Sequence, residues 1–300
     1  MKKKTYLFAL MTMVLTLGSC SDNENGIGGE TSKYITVSTS IGNMTRVATD
    51  ANGGQTFEEG DEISVYAWIG APTVAPETRE RVVNNAINKL TNGSWVSTPQ
   101  MLWKNNRDKH YFIGVYPTAA ISDFTAGEYK LDVAKQEDSD LLVAVNKDGI
   151  SYNADEQQTV PLTFTHVMAK LAVNLTYKNQ WGGIPTVEKV VVGNAAKEAT
   201  INYLTKVVTP STTAKEDFSL PEITENTKYV SVIIPQEDVT QLTIVIGGKN
   251  FVYDNGTPFK LESGKITTVN LEVGRDEIKL GDVKITNWED GSTFSGEALN

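Results

Sequence analysis

Few side chains in this sequence could carry acid–base or nucleophilic chemistry. It contains two histidines, His110 and His166, and one cysteine, Cys20. Neither histidine has a cysteine, histidine or carboxylate at the close spacing of a zinc site, and the Gly-x-Ser-x-Gly pentapeptide of serine hydrolases is absent. The pattern around His110 predicts a residue on a sheet surface, and that around His166 predicts a hydrogen-bonded residue of a sheet or domain junction.

Carboxylates are abundant but define no site. A glycosidase needs two carboxylates that face each other, and abundance alone does not identify such a pair. Residues 50–61 place oxygen-bearing side chains at several positions of a calcium-binding loop, but Gln55 stands where that loop needs glycine, and no helices are predicted beside it. A solvated turn explains the same residues. We therefore expect no catalytic residue, no metal site and no cofactor.

The beginning of the chain has the three parts of a secretory signal. Three lysines form a charged start, residues 6–17 form an apolar run too short to span a bilayer, and small residues lead to Cys20. The stretch Leu17-Gly18-Ser19-Cys20 resembles a bacterial lipobox, in which the cysteine sulfur is lipidated and the chain is cleaved before it. The alternative is an ordinary signal peptide with a stray thiol, which would be a liability in an oxidising compartment. We therefore predict a signal peptide at 1–19 and a lipidated tether at 20–32.

The charge of the exported chain limits its partners. Loss of the three signal lysines changes the formal net charge from -10 to -13, and no lysine or arginine cluster remains. An acidic chain without a basic cluster is not expected to bind nucleic acid. Nor is it expected to adhere electrostatically to an anionic membrane, so the lipid on Cys20 must provide the anchor.

Alternation of apolar and polar residues predicts β-strands along most of the remaining chain. Residues 35–41 and 63–69 alternate with the period of a half-buried strand. Residues 83–90 also show helical spacing, but their asparagines favour a strand or an irregular segment. Short strands between turn signals indicate a sandwich or barrel and not a βαβ fold.

The longest regular run, residues 164–177, bears on the domain organisation. At ~3.3 Å per residue it would extend about 45 Å, more than twice a usual strand, so we expect a bulge or a role in two sheets. The polar residues 155–161 before it are the best candidate boundary between two all-β domains. We predict an N-terminal domain at 33–158 and a C-terminal domain at 159–300.

The five tryptophans offer an alternative function. If they were exposed, they could form a carbohydrate-binding platform, although aromatic residues of β-sandwiches usually belong to the core. They are Trp68, Trp95, Trp103, Trp181 and Trp288.

An ordered series of motifs resembles the fimbrillin-like lipoproteins of Bacteroidales, which include major and minor pilins and tip subunits. Most specific is His166 within Leu162 to Leu171, preceded by Asp140-Leu141-Leu142. The series also includes the lipobox at Cys20, Thr45-Arg46, Phe57 to Ala67, Trp103, Tyr111 to Pro117, Gly264-Lys265 and Ile285 to Trp288.

The resemblance implies a fold of two tandem Greek-key β-sandwiches of transthyretin-like type, with Asn85 to Leu90 in a strand. It also implies an outer-membrane, cell-surface lipoprotein that joins other pilin subunits in a fimbria, in a structural or adhesive role without catalysis. In such assembly a trypsin-like protease cuts after an arginine near the first strand, that strand leaves, and a donor strand from another subunit takes its place. Arg46 is the matching position here, although it could equally be an ordinary loop cation.

Two alternatives stay open at this level. Residues 283–288 could be a donor strand or the last strand of the second sandwich, so stalk and tip subunits are not distinguished. The chain could also be an outer-membrane lipoprotein that binds a host glycan or protein and never polymerises.

Overall fold

The computed structural model describes residues 33–42, 57–156 and 158–288. Within these ranges the chain consists of strands with one short α-helix and one 3-10 helix, so the all-β prediction is confirmed. No helix of the described part is long and apolar enough to cross a membrane. In chain order the elements are β1 (Thr36–Ile41), β2 (Glu62–Ile69), β3 (Arg81–Thr91), β4 (Ser94–Thr98), β5 (Lys109–Tyr116), β6 (Gly127–Lys130), α1 (Gln136–Ser139), β7 (Leu142–Ser151), β8 (Thr159–His166), β9 (Ala169–Tyr177), the 3-10 helix (Asn179–Trp181), β10 (Val187–Ala196), β11 (Glu198–Asn202), β12 (Val207–Pro210), β13 (Lys215–Ser219), β14 (Glu222–Thr224), β15 (Lys228–Ile233), β16 (Gln236–Ile246), β17 (Lys249–Leu261), β18 (Lys265–Val273) and β19 (Ile278–Asn287).

The first half of the chain forms one seven-stranded sheet in the order β1-β8-β7-β5-β2-β3-β4. Its two end strands approach each other, since the Trp95 indole N–H of β4 donates to Thr39 Oγ1 of β1 at 3.0 Å. Side chains of the central strand β2 alternate between two cores: Val65 faces the inside of the curled sheet, and Tyr66 faces the rest of the molecule. Both faces of β2 are therefore buried.

The ambiguous segment at 83–90 is a strand, as its asparagines suggested. It lies in β3, which pairs with β2 and β4. Asn85 has a positive φ of 58°, and the register with β2 shifts between Val65 and Ala67. Asparagine tolerates this left-handed conformation better than most residues, so the irregular step that mimicked helical spacing is a bulge.

The second half of the chain forms three further sheets. Their strand orders are β13-β10-β16-β17, β14-β15-β9-β18-β19 and β12-β11-β6. Apolar side chains of the four-stranded and five-stranded sheets, such as Leu242 and Leu171, belong to one buried cluster. The terminal strand β19 is the outer strand of the five-stranded sheet, antiparallel to β18.

The long run at 164–177 serves two sheets, as predicted. Its first residues end β8 in the seven-stranded sheet, and the chain then enters β9 of the five-stranded sheet after Val167 and Met168. Because β8 pairs with β1 and β7, the predicted place of Thr159–His166 in the C-terminal domain is wrong. The division into two domains otherwise stays a prediction.

The two halves of the chain are also tied together by strand pairing. β6 comes from the first half, yet it pairs with β11 of the second half. Ahead of β6, the backbone N–H of Tyr203 donates to the carbonyl of Phe124 at 2.8 Å. Phe124 itself packs edge-on against Tyr66 and Trp68 of β2. A single buried cluster therefore runs from the first sheet into the second half.

Candidate functional site

β1 is joined to the molecule mainly through one neighbouring strand. Thr36–Ile41 runs parallel to β8, with Thr36 opposite Thr159 and Ile41 opposite Phe164. Exposed hydroxyls add contacts across this pair: Ser40 Oγ lies 3.1 Å from Thr163 Oγ1. On its other side β1 faces β4, with which it shares no ladder of backbone hydrogen bonds.

Just before β1 the chain crosses to a different partner. The backbone N–H of Ile35 donates to the Met101 carbonyl at 2.9 Å, and the Trp103 N–H donates to the Lys33 carbonyl at 3.2 Å. Tyr34 pairs with Leu102 between them. The first described residues thus hold β1 at its N-terminal end.

The inward face of β1 is only partly apolar. Ile35 is 2% exposed and Val37 6%, and burial of a side chain of this size contributes about 1.5–3 kcal/mol. The next inward position is Thr39, whose hydroxyl accepts the Trp95 N–H, and after it comes the half-buried Ile41. The C-terminal half of β1 therefore contributes little hydrophobic stabilisation.

Under β1 lies a continuous apolar row on β8. Val160, Leu162 and Phe164 are almost fully buried, and the parallel register sets them beside Val37, Thr39 and Ile41. Removal of β1 would expose this row together with the unpaired backbone edge of β8.

A cleft of ≈ 590 Å³ opens between β1 and the β3–β4 turn. Phe57, the first residue described after the gap at 43–56, lines it together with Trp95. The Phe57 ring centroid lies 5.3 Å from that of Trp95, 5.4 Å from Tyr116 and 5.2 Å from Phe164, each edge-on. Phe57 therefore fixes the chain after the gap to the body of the first sheet.

Both predicted modification residues lie outside the described ranges. Cys20 precedes residue 33, and Arg46 falls within 43–56. The residues on either side of that gap differ in their attachment: Gly42 donates its N–H to the Phe164 carbonyl at 2.8 Å as an extension of β1, whereas Phe57 is packed among aromatic rings. A cut in the gap would separate β1 from the residues that follow it.

The residues singled out as a calcium loop do not form a site in the described part. Asp50, Asn52 and Thr56 lie in the gap. Asp61 Oδ2 accepts the Glu58 backbone N–H at 2.7 Å, which is the arrangement of a solvated turn.

His166 joins four parts of the chain, in agreement with its predicted place at a hydrogen-bonded junction. Its Nδ1 lies 2.6 Å from Asp140 Oδ1, and its ring stacks on Trp288 at 4.1 Å between centroids. The Lys170 ammonium lies 4.3 Å from the centre of the same indole. Burial lowers the pKa of Lys170, and the charge of Asp140 partly offsets this effect. The end of β19 is therefore fastened to the β8–β9 junction.

His110 is buried, so its predicted place on a sheet surface is wrong. It lies on β5, the middle strand of the seven-stranded sheet, where both faces are covered. Its Nε2 accepts the Lys104 N–H at 3.1 Å, and its ring packs edge-on against Trp103 at 5.0 Å. It is a structural histidine.

The tryptophans do not form an exposed platform. Trp68, Trp103 and Trp288 are buried, and Trp95 and Trp181 are half-buried. They belong to the core, as aromatic residues in β-sandwiches usually do.

Sequence reasoning missed the aromatic cluster around Phe57 and the role of Thr39. Phe57 carried a signal, since it begins the motif before β2. The contact between Thr39 and Trp95 had none, because it depends on the curl that brings the ends of the sheet together.

Comparison with known proteins agrees with this fold. The model of a family described as fimbrillin-like matches residues 45–288, and no curated protein matches the sequence. Among solved structures, a candidate cell adhesion protein of Bacteroides uniformis is 18% identical with a TM-score of 0.63, and the match covers 85% of this chain and 98% of that chain. A candidate cell adhesion protein of Bacteroides ovatus is 17% identical with a TM-score of 0.61, covering 85% and 98%.

A third similar structure is the C-terminally truncated tip fimbrial protein Mfa3 of Porphyromonas gingivalis. It is 11% identical with a TM-score of 0.51, and the match covers 85% of this chain and 99% of that chain. At such identities the structural likeness concerns the fold, while the family model spans most of the sequence. The chain therefore belongs to the fimbrillin-like family of fimbrial proteins.

Proposed function

We propose that the chain is a subunit of a cell-surface fimbria, structural or adhesive, that assembles with other subunits by exchange of β1 for a donor strand. The observation that carries this proposal is the attachment of β1. Along Thr36–Ile41 it has a backbone partner on one side only, β8, and an open cleft on the other side. A strand of this kind is the easiest one to exchange.

The exchange has a physical driving force in the side chains of β1. Thr39 and the half-buried Ile41 leave the row of Val160, Leu162 and Phe164 incompletely covered. A donor strand with larger apolar side chains at alternate positions would form the same backbone hydrogen bonds and bury more apolar surface.

Cleavage after Arg46 would make this exchange possible. Before cleavage, the covalent link through 43–56 keeps β1 at high local concentration beside β8. After cleavage, Phe57 and all later residues stay with the folded body, and β1 stays with the segment that begins at Cys20. We propose that the lipid on Cys20 holds the precursor on the outer membrane until this cut.

One labelling experiment tests the lipid, the cut and the exchange. Cells that express the chain are labelled with a fatty acid, and the purified precursor is treated with a trypsin-like protease. We expect the label on the fragment that ends at Arg46, an unlabelled body that starts at Val47, and polymers of that body. Arg46→Ala should prevent both the cut and polymer formation, whereas Arg107→Ala, at another exposed arginine, should not. Cys20→Ala should abolish the label.

The outcomes distinguish the parts of the proposal. A body that stays monomeric after complete cleavage at Arg46 would contradict strand exchange. Label that persists in Cys20→Ala would contradict lipidation at that residue.

We propose no second function. A glycan platform would need exposed aromatic rings, and all five tryptophans are buried or half-buried. The described residues contain no group of three or more histidine, cysteine or carboxylate side chains that could hold a metal ion, and the proposed role requires no catalysis.

A further inference from the structure

The strand β19 has an unusual exposure for its position. It is the outer strand of its sheet, and its residues from Lys279 to Ile285 are all exposed. Leu280, Val283 and Ile285 are 37%, 41% and 38% exposed. Their partners on β18 are Leu271, Val269 and Thr267, which are at most 1% exposed.

These apolar residues point toward the core side of the sheet. Directly opposed residues of an antiparallel pair share one face, so Leu280, Val283 and Ile285 lie on the face of Leu271 and Val269. A bulge at Gly281 keeps them there, because the register shifts between Asn270 and Leu271. A Cβ at Gly281 would lie 3.2 Å from the Asn270 carbonyl oxygen, so glycine suits the bulge. The apolar face of the sheet thus extends one strand further than its cover.

The opposite face of the same strands carries a row of polar side chains that ends at β19. Asn174 Nδ2 donates to Asn270 Oδ1 at 2.8 Å, and Asn270 Nδ2 donates in turn to Asp282 Oδ1. Asp282 is exposed and is the last member of this row. Two residues further on, Lys284 makes no ion pair within the described part of the chain.

We propose that β19 pairs antiparallel with β19 of a second copy of this chain, about a two-fold axis at Val283. With Gly281 bulged, Val283 faces its counterpart, Asp282 of each copy faces Lys284 of the other, and Leu280 faces Ile285. The pairing continues both five-stranded sheets, covers the apolar row and continues the polar row onto an ammonium group. A two-fold contact of this kind is self-complementary and closes as a dimer.

Neither protection of the edge by its lysines nor cover by the end of the same chain accounts for β19 as well as this pairing does. Lysines on an edge strand usually discourage pairing, but here each lysine would face a carboxylate of the second copy. Residues 289–300 contain three acidic residues, no basic residue and no alternating apolar run. They complement neither Asp282 nor the apolar row.

The first test is charge exchange, measured by sedimentation on the uncleaved chain from residue 20 with Cys20→Ser. Asp282→Lys or Lys284→Asp alone sets like charges opposite each other twice and should weaken the dimer about tenfold or more. The double variant restores opposite charges and should return the dissociation constant to near the unmodified value, although it loses the hydrogen bond from Asn270. A chain that is monomeric up to its solubility limit, or a double variant no tighter than the single ones, overturns the proposal.

The second test reads the register directly in the same background, which has no other cysteine. Val283→Cys should form a disulfide between two copies, because opposed Cα atoms of an antiparallel pair are close enough for one. Ile285→Cys is the matched control and should cross-link only when mixed with Leu280→Cys. Equal rates for Val283→Cys and Ile285→Cys alone would contradict the two-fold register. Because β1 stays in place throughout, failure here leaves strand exchange untouched, and failure of strand exchange leaves this pairing intact.

Discussion

The two histidines show what single residues disclose before the fold is known. For His166, the sequence placed a hydrogen-bonded residue at a junction, and its contact with Asp140 confirms that placement. For His110, the strand was predicted correctly, but its position in the middle of a seven-stranded sheet was not. The alternation within one strand does not tell whether its second face is covered, because this depends on how distant strands pair.

His110 should make stability depend on pH. Burial lowers its pKa below the usual value near 6.5, although hydrogen bonding to the backbone of Asp108 and the charge of Asp108 oppose this effect. The unfolded chain therefore binds a proton more readily than the folded chain, and the free energy of unfolding falls as pH drops below about 6.5. For one proton the slope is at most about 1.4 kcal/mol per pH unit.

His110→Gln should reduce this loss, because glutamine can still accept the Lys104 N–H but does not titrate. The measurement is urea denaturation of both proteins between pH 8 and pH 5. Carboxylates elsewhere affect the two proteins alike, so the difference between the two curves is the contribution of His110. Parallel curves across this pH interval would show that burial does not shift the pKa of His110.

At the level of elements, local pattern predicted strands better than it predicted their partners. Alternation identified β1 and β2, and the excessive length of the run at 164–177 indicated its use in two sheets. The place of β8 was missed, since its partners β1 and β7 come from earlier parts of the chain. Pairing between distant segments leaves no trace in the spacing of residues within a strand.

The retention of β1 can be tested through its most buried residues. Val37→Ala removes two buried methyl groups at about 0.8 kcal/mol each, so roughly 2 kcal/mol should be lost with the cavity. In the uncleaved chain this lowers the free energy of unfolding. In a chain cleaved after Arg46, it should speed release of the β1 segment by at least about tenfold, followed by native mass spectrometry.

Ser38→Ala is the matched control, because Ser38 lies on the exposed face of the same strand. It should change the free energy of unfolding by no more than about 0.5 kcal/mol. If both variants released the segment at the unmodified rate, the buried side chains of β1 would not be what holds it.

At the level of the whole molecule, the two halves are less separate than the sequence suggested. An interface between domains in one chain is usually small and polar. Here β6 of the first half pairs with β11 of the second, and one buried cluster includes Tyr66, Phe124 and Tyr203. A midpoint in the hydrophobic pattern reveals a change of sheet but not the area shared across it.

This shared core predicts that the whole described body unfolds in one cooperative step. Phe124 is 1% exposed and packs 5.4 Å from Tyr66 between ring centroids, so Phe124→Ala should lower the free energy of unfolding by about 3–5 kcal/mol. Hydrogen exchange should show the same loss of protection in β5 of the first half and in β16 of the second. Val74→Ala, at a residue that is 60% exposed, should leave both unchanged. Loss of protection confined to β5, or two separate unfolding transitions, would mean that the halves are independent domains and that the contact through Phe124 does not couple them.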